Sequence, residues 1–275
     1  MSAQDFLALR DFVYSKSGIY FREAKKYFLE NRIGKRINEL TLPSYREYFN
    51  LLQGPKGLQE LKFLFNEVTT NETSFWRNPP QIEAFQNFVL PEAVAVARKR
   101  GANKFRIWSA ACSSGEEPYT LAMICREKDS LLRGLSVEIM ATDISERVMK
   151  LAMIGQYGSY TLRNLNPGQL KLHFDQKGDD IFEVKPELKE LVVYKNFNLV
   201  DYQGYRSLGM FDVIFCRNVL IYFDDVVKTK VIAGFHEQLN PKTYLMVGHS
   251  ESISNYTSGF ELVHFSMATG YRKNT

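Results

Sequence analysis

The sequence predicts an α/β protein: a doubly wound, mostly parallel sheet with helices on both faces, preceded by a small all-α domain. Three observations carry this. From residue 101 onward, short apolar runs alternate with helical patterns, the order that builds parallel sheets. Residues 1–70 contain helical periodicity and no strand pattern. The run of small residues between the first strand and its helix, "SAACSSG", has the plan of a loop that cradles a nucleotide-like ligand.

In order, Phe6, Leu9, Phe12 and Val13 fall on one helical face, and a second helix is expected over Ala24–Leu40, with Phe28, Ile33 and Ile37 inward. Ser44 reads as the N-cap of a third, and Leu58, Leu61, Leu64, Phe65 and Val68 mark a fourth. Residues 71–100 read as a linker and a connecting helix that ends at "ARKRGAN", with Gly101 as its stop. "KFRIWSA" is then a strand, "EEPYTLAMICRE" a helix, "VEIMATD" a strand and "SERVMKLAM" a helix. "VVYKNFN", "FDVIFCR" and "TYLMVGH" are further strands, with the helix "DDVVKTKVIAGFHEQLN" between the last two, and "FELVHF" and "MATGYRK" close the sheet. Residues 155–190 break this rhythm with turn residues around a short "IFEV" strand and read as a small insertion within the 101–275 domain.

Composition is that of an ordinary globular chain, 45% hydrophobic and 24% charged over 275 residues. The opening "MSAQDFLALRD" lacks the basic and apolar regions of a signal peptide, and no apolar run approaches the ~18–20 residues that span a bilayer. Three cysteines without a C-x-x-C pair suggest neither a disulfide framework nor a zinc site. A cytoplasmic protein with no metal and no membrane insertion is expected. The net charge of +4 does not by itself call for nucleic acid, but residues 22–36 hold six basic side chains against Glu23 and Glu30.

Ligands of open α/β sheets bind beyond the carboxyl ends of the strands. Here those ends carry Ser109 and the Gly115 loop with Glu117, then Asp143, Asn198, the "CRN" triplet, and His249, Ser250 and Glu251. An acid after the second strand is placed to bond both hydroxyls of a ribose. The plainer reading of Asp143 is a helix cap, a job that Ser145 can do instead, so the ribose role is preferred. A dinucleotide site needs G-x-G-x-x-G, whereas this loop has one glycine, and Glu116 and Glu117 put negative charge where a pyrophosphate would lie. The expected ligand has ribose and adenine but a cationic group in place of phosphates. S-adenosylmethionine meets that description.

"NETSFWRNP", "IWSAACSSGEEPYTLA", "ATDIS", "FDVIFCRNVLIYFD" and "VGHSES" resemble, in order, the signature segments of the chemotaxis-receptor glutamate methyltransferases, the CheR family. The resemblance runs from about Phe6 to Gly270. It implies an all-helical N-terminal domain, a linker that contributes to the cofactor site, and a methyltransferase domain whose insertion is antiparallel β. The activity implied is methyl transfer from S-adenosylmethionine to glutamate side chains on the cytoplasmic helices of chemoreceptors. Carried over residue by residue, cofactor contacts fall on Asn71, Thr73, Arg77, Glu117, Asp143, Asn198, Leu199, Cys216 and Arg217, with Asn218 and Tyr222 lining the same crevice. Glu72 departs from a more apolar family position.

A carboxylate acceptor is already ionised at neutral pH, so no general base is required. Arg77 is expected to orient the acceptor carboxylate, and Tyr222 to close over the methyl group or bond that carboxylate; the plainer readings are a surface ion pair and simple packing. Trp76 is either a pocket wall or an interdomain contact. Cys112 and Cys216 read as buried small residues rather than nucleophiles, and His249 as a structural residue or part of the rim. Arg32, Lys35 and Arg36 fall on one face of the second helix, extended by Arg22 and Lys25, and suit docking of an acidic helical bundle as well as they suit a plain solvated face. No aromatic interleaving supports nucleic acid as the partner. A monomer is the default. An S-adenosylmethionine sensor or adaptor, and a methyltransferase acting on another protein or a small molecule, are the rival readings; "NPP" at 78–80 lies in the linker rather than at a strand end. Whether a receptor C-terminal peptide tethers to the insertion is open.

Overall fold

The computed structural model describes residues 1–275. Four helices come first: α1 (Ala3–Ser17), α2 (Lys26–Glu39), α3 (Tyr45–Gln53) and α4 (Gly57–Val68). Ser2 and Ser44 cap α1 and α3 by accepting from the amides of Asp5 and Glu47. Leu9, Val13, Leu29, Ile33, Tyr48, Leu64 and their neighbours form a core of their own. Two expectations shift. The first turn assigned to the second helix is a tighter 3-10 turn, Glu23–Lys25, and Leu58 stands 80% exposed rather than on the apolar side of α4.

The basic face of α2 is committed to this bundle. Arg36 forks onto Glu60, Nε to Oε1 at 2.8 Å and Nη2 to Oε2 at 2.9 Å, and the Tyr48 hydroxyl donates to the same Glu60 carboxylate at 3.0 Å. Arg32 donates to the carbonyls of Glu67 at 2.9 Å and Thr69 at 3.3 Å. Of the three residues expected to make one docking stripe, Lys35 alone is exposed without a protein partner.

After the linker come α5 (Pro79–Ala84) and α6 (Leu90–Lys99), joined by a π-helical turn, Phe85–Val89. Pro91 explains that turn: it has no N–H to give to the carbonyl four residues back, so the ladder widens there. Gly101, at φ +70°, ends the run as expected.

The main domain then runs β1 (Lys104–Ala110), α7 (Glu116–Glu127), a one-turn α8 (Asp129–Leu132), β2 (Ser136–Asp143) and α9 (Glu146–Ile154). The insertion follows: β3 (Gln156–Tyr157), α10 (Ser159–Leu162), α11 (Pro167–His173), β4 (Phe174–Gly178), β5 (Ile181–Val184) and α12 (Pro186–Lys189). The chain closes with β6 (Val192–Asn196), β7 (Phe211–Cys216), α13 (Asp225–Gln238), β8 (Leu239–Val247), β9 (Phe260–Phe265) and β10 (Ala268–Lys273). The seven-stranded sheet has the order β6-β2-β1-β7-β8-β10-β9, parallel except for the pairings made by β10. The insertion is a separate antiparallel sheet, β3-β5-β4. Strand order reverses at β1, whose neighbours are β2 on one side and β7 on the other, so the ligand crevice opens at its carboxyl end.

Two cores cover the sheet, one under α5–α7 and one under α13. Trp108 anchors the second: its ring meets Phe197, Tyr205, Phe211 and Phe235 at centroid distances of 5.9, 5.7, 5.2 and 5.2 Å, and its indole N–H donates to Thr142 Oγ1 at 2.9 Å. At the opposite end of the strands, Glu138 on β2 binds Lys104 and Arg106 of β1. Burial works against the Glu138 carboxylate, but the hydrogen bonds from Lys104 and Arg106 outweigh it and hold its pKa below the usual value. A depressed carboxylate contributes stability above its unfolded pKa of about 4.3 and loses it as pH falls through the folded value. Urea unfolding should therefore show Glu138→Gln less stable than wild type near pH 7, with the gap narrowing toward about pH 3. A gap that stays constant with pH would refute this.

The helical bundle is stapled to the main domain at both ends of the crevice. The Tyr14 hydroxyl donates to Asp224 at 2.6 Å, Asn198 donates to the Lys16 carbonyl at 2.7 Å, and Ile19 pairs with Phe223 as an antiparallel bridge. On the other side Arg147 reaches Glu67 at 2.8 Å and Lys62 reaches Glu146 at 2.7 Å.

Candidate active site

A cavity of about 560 Å³ lies beyond the carboxyl ends of β1, β2, β6 and β7. Its floor is the loop after β1. Ala111 and Ser113 sit at φ +61° and +51°, and Gly115 at +97°. The loop is buckled to β2 by the Cys112 amide on the Thr142 carbonyl at 2.8 Å and the Ser113 amide on Asp143 Oδ2 at 2.9 Å. Gly115 is the one glycine for a steric reason as well as its φ: a Cβ there would lie 2.8 Å from both Ala152 Cβ and the Tyr157 hydroxyl.

Asp143 also accepts from the Ser145 amide at 2.9 Å, so each carboxylate oxygen holds one backbone N–H while the residue lines the cavity. Burial raises its pKa and those amides pull it back. The two glutamates that open α7 part company. Glu116 is buried, bonds the Ser114 hydroxyl at 2.7 Å and does not line the cavity; burial raises its pKa. Of the two acids, Glu117, the one expected to contact the cofactor, lines the cavity and Glu116 does not.

Glu117 accepts from the Ser109 hydroxyl at 2.7 Å and from Arg217 Nη1 at 3.2 Å. Arg217, just past the end of β7, gives two more donors to protein, Nε to Gln81 Oε1 at 2.7 Å and Nη2 to the Arg77 carbonyl at 2.6 Å, which leaves one N–H on each terminal nitrogen without a protein acceptor. Gln81 in turn donates to the Val247 carbonyl at 2.6 Å. Burial lowers the Arg217 pKa, and Glu117 opposes that. One buried guanidinium thereby joins α5, α7, the linker and the tip of β8.

Arg77 itself gives one guanidinium N–H to the Glu72 carbonyl at 2.7 Å; its other side-chain donors bond no protein group, and it lines the cavity. Its neighbours Trp76 and Asn78 have φ of +53° and +59°, and Trp76 lies in the core with its amide on Thr120 Oγ1 at 3.2 Å, a packing contact and not a pocket wall. Across the cavity stand Asn218, at φ +60°, and Tyr222, on the 3-10 turn Leu220–Tyr222.

Asn71, Thr73, Asn198 and Leu199 line the same cavity. Asn198 has both ends of its amide engaged, donating to Lys16 and accepting from the Val200 amide at 3.2 Å. Cys216 is the exception among the expected cofactor contacts: its side chain is fully buried in the core under α13 and does not reach the cavity, because it ends β7 pointing into the sheet packing. Cys112 does line it, with burial pushing its thiol well up, the state of an inert cysteine. His249 is exposed and outside the cavity.

Two features escaped the sequence. The roof of the cavity is the N-terminal domain, including Tyr20, Phe21, Arg22, Lys25 and Phe28, so the helical bundle is part of the site. Arg22 and Lys25 belong to this roof more than to the stripe of α2. The supporting groups Gln81 and Glu251 were also missed as such; Glu251 was visible at a strand end but had no assigned partner, since its bonds are to backbone.

The donor set fits S-adenosylmethionine. The Glu117 carboxylate and the Arg217 and Arg77 guanidiniums match a zwitterionic amino acid tail. Asp143 lines the cavity just past β2, where it would suit a ribose, and Ile144, Phe197 and Leu199 supply apolar surface suited to a base.

Residues 4–69 match the family model described as CheR methyltransferase, all-alpha domain, and residues 71–269 match CheR methyltransferase, SAM binding domain. The chain is 37% identical over 269 residues to chemotaxis protein methyltransferase 2 of Vibrio cholerae serotype O1, covering 98% of this chain and 92% of that one. It is 36% identical over 273 residues to chemotaxis protein methyltransferase 1 of Pseudomonas aeruginosa, covering 98% and 97%. To the chemotaxis protein methyltransferase of Borreliella burgdorferi it is 37% identical over 264 residues, covering 95% and 91%. With a cavity whose charges suit S-adenosylmethionine and family matches that together span residues 4–269, the chain belongs to the CheR methyltransferases.

Proposed function

We propose that this protein methylates glutamate carboxylates on the cytoplasmic helical bundle of chemoreceptors, as a protein-glutamate O-methyltransferase of the cytoplasm acting as a monomer. The observation that carries the acceptor class is Arg77, which lines the cavity with one guanidinium N–H on the Glu72 carbonyl and its other side-chain donors on no protein group, a fork that suits a carboxylate. A carboxylate acceptor, with a pKa of about 4.3, is ionised at neutral pH and requires no general base.

The bound cofactor supplies a methyl group on a cationic sulfur. Glu117 and Arg217 fix its amino acid tail, and Asp143 with Phe197–Leu199 fixes the nucleoside end. The unpartnered donors of Arg77 hold the incoming carboxylate in line without gripping it so tightly as to blunt it. Tyr222 closes the wall beside the transfer path. Attack joins an anion to a cation, so the roof formed by the helical bundle favours the reaction by excluding water. Arg22 and Lys25 on that roof, with Lys35 beyond it, supply the positive field for an acidic helix, and Arg32 and Arg36 add charge although their hydrogen bonds are used within the bundle.

The test is transfer of tritium from labelled S-adenosylmethionine to receptor-bearing membranes, followed by mild alkali. Label released as volatile methanol supports a carboxyl ester; alkali-stable label refutes the glutamate acceptor.

A further inference from the structure

Glu251 sits in the turn after β8, nine-tenths buried at 9% exposure, and its carboxylate bonds three backbone amides. Oε2 accepts from the Gly248 amide at 2.7 Å and the Asn218 amide at 2.8 Å, and Oε1 accepts from the Ile221 amide at 3.2 Å. Asn218 and Ile221 belong to the segment that ends in Tyr222, and Asn218 is held at φ +60°, in the left-handed region that asparagine tolerates better than other residues with a Cβ. The fit is close: a Cβ on Gly248 would lie 2.6 Å from Oε2 and 3.0 Å from the Asn218 nitrogen. No other side chain bonds the amides of this segment between Asn218 and Tyr222.

We propose that Glu251 is a positioning residue that fixes the Asn218–Tyr222 segment against the tip of β8, so that Tyr222 faces the transferred methyl group. This rests on the glutamate methyltransferase reading for its kinetic consequence, though the mechanical part stands without it. The physical reason is that charged acceptors bind amides more strongly than neutral ones, and three amides from two strand ends and a turn define a position in all directions. Misplacement of a reacting wall by about 1 Å costs on the order of 100-fold in rate.

The test pairs Glu251→Ala with Glu251→Gln. Glutamine keeps the volume and one acceptor oxygen but turns an amide donor toward one of the three N–H groups. Amide exchange of Asn218 and Ile221, read by NMR on the full chain, should accelerate in both variants. In receptor methylation, kcat should fall about 100-fold for alanine and by less for glutamine, with the calorimetric affinity for S-adenosylhomocysteine much less affected. Unchanged exchange in glutamine, or kcat and cofactor affinity falling by the same factor, would overturn the proposal. A wild type that exchanges slowly at these amides yet methylates no receptor would sink the acceptor assignment and leave the mechanical role intact.

Discussion

Arg217→Met is expected to destabilise the chain by about 3–5 kcal/mol, the cost of removing one partner from a buried ion pair. Methionine replaces most of the stem, so the loss is of charge and hydrogen bonds and not of volume. Glu117 is left as a nearly buried carboxylate with only the Ser109 hydroxyl, and Gln81 and the Arg77 carbonyl lose their donors. Urea unfolding measures the change, and cofactor affinity should fall with it. The double variant Arg217→Met with Glu117→Leu should recover part of the stability while cofactor binding stays lost, because the unpaired buried charge is gone but so is the anchor for the cofactor's tail. A single variant within about 1 kcal/mol of wild type would mean that solvent reaches this pair freely.

Arg77→Ala should separate chemistry from folding. The Arg77 carbonyl, which receives Arg217, is backbone and survives the substitution, and the side chain gives the protein only one bond, to the Glu72 carbonyl. Thermal stability should therefore hardly move, while kcat/KM for the receptor falls about 100-fold or more. Arg77→Lys should not restore it, since a point charge lacks the planar fork that aligns a carboxylate. Full activity in the lysine variant would show that only charge matters at this position.

Much of this was legible in the chain because its local signals agree with one another. "KFRIWSA" and "EEPYTLAMICRE" coincide with β1 and α7, since an apolar run ending in small residues and followed by two acids has few other solutions. The short insertion strand "IFEV" is β5 for the same kind of reason. What the sequence left out has a common cause as well. Leu58, Arg32 and Arg36 were read by helical spacing, which fixes which side chains share a face but not what that face meets. Arg36 meets Glu60, which lies on another helix, and Arg32 meets carbonyls at the carboxyl end of α4. Cys216 comes as a cofactor contact from the family resemblance, yet its side chain lies in the core under α13 while that of Arg217, the next residue, lines the cavity. Glu251 acts on backbone amides, and Gln81 on the Arg217 side chain and the Val247 carbonyl far along the chain, and such pairings leave no mark in a sequence.

The roof over the cavity, built from residues 17–28, faces a floor and walls drawn from residues 68–77 and 111–223. Glu251 holds one of those walls from still further along. A ligand in that space meets residues of the helical bundle and of the sheet domain together, so its binding energy is shared by the two. Saturation with cofactor then adds to the stability of both at once by mass action. The two parts are thereby driven toward melting in a single step, and a nascent chain gains no such help until nearly all of it has been made.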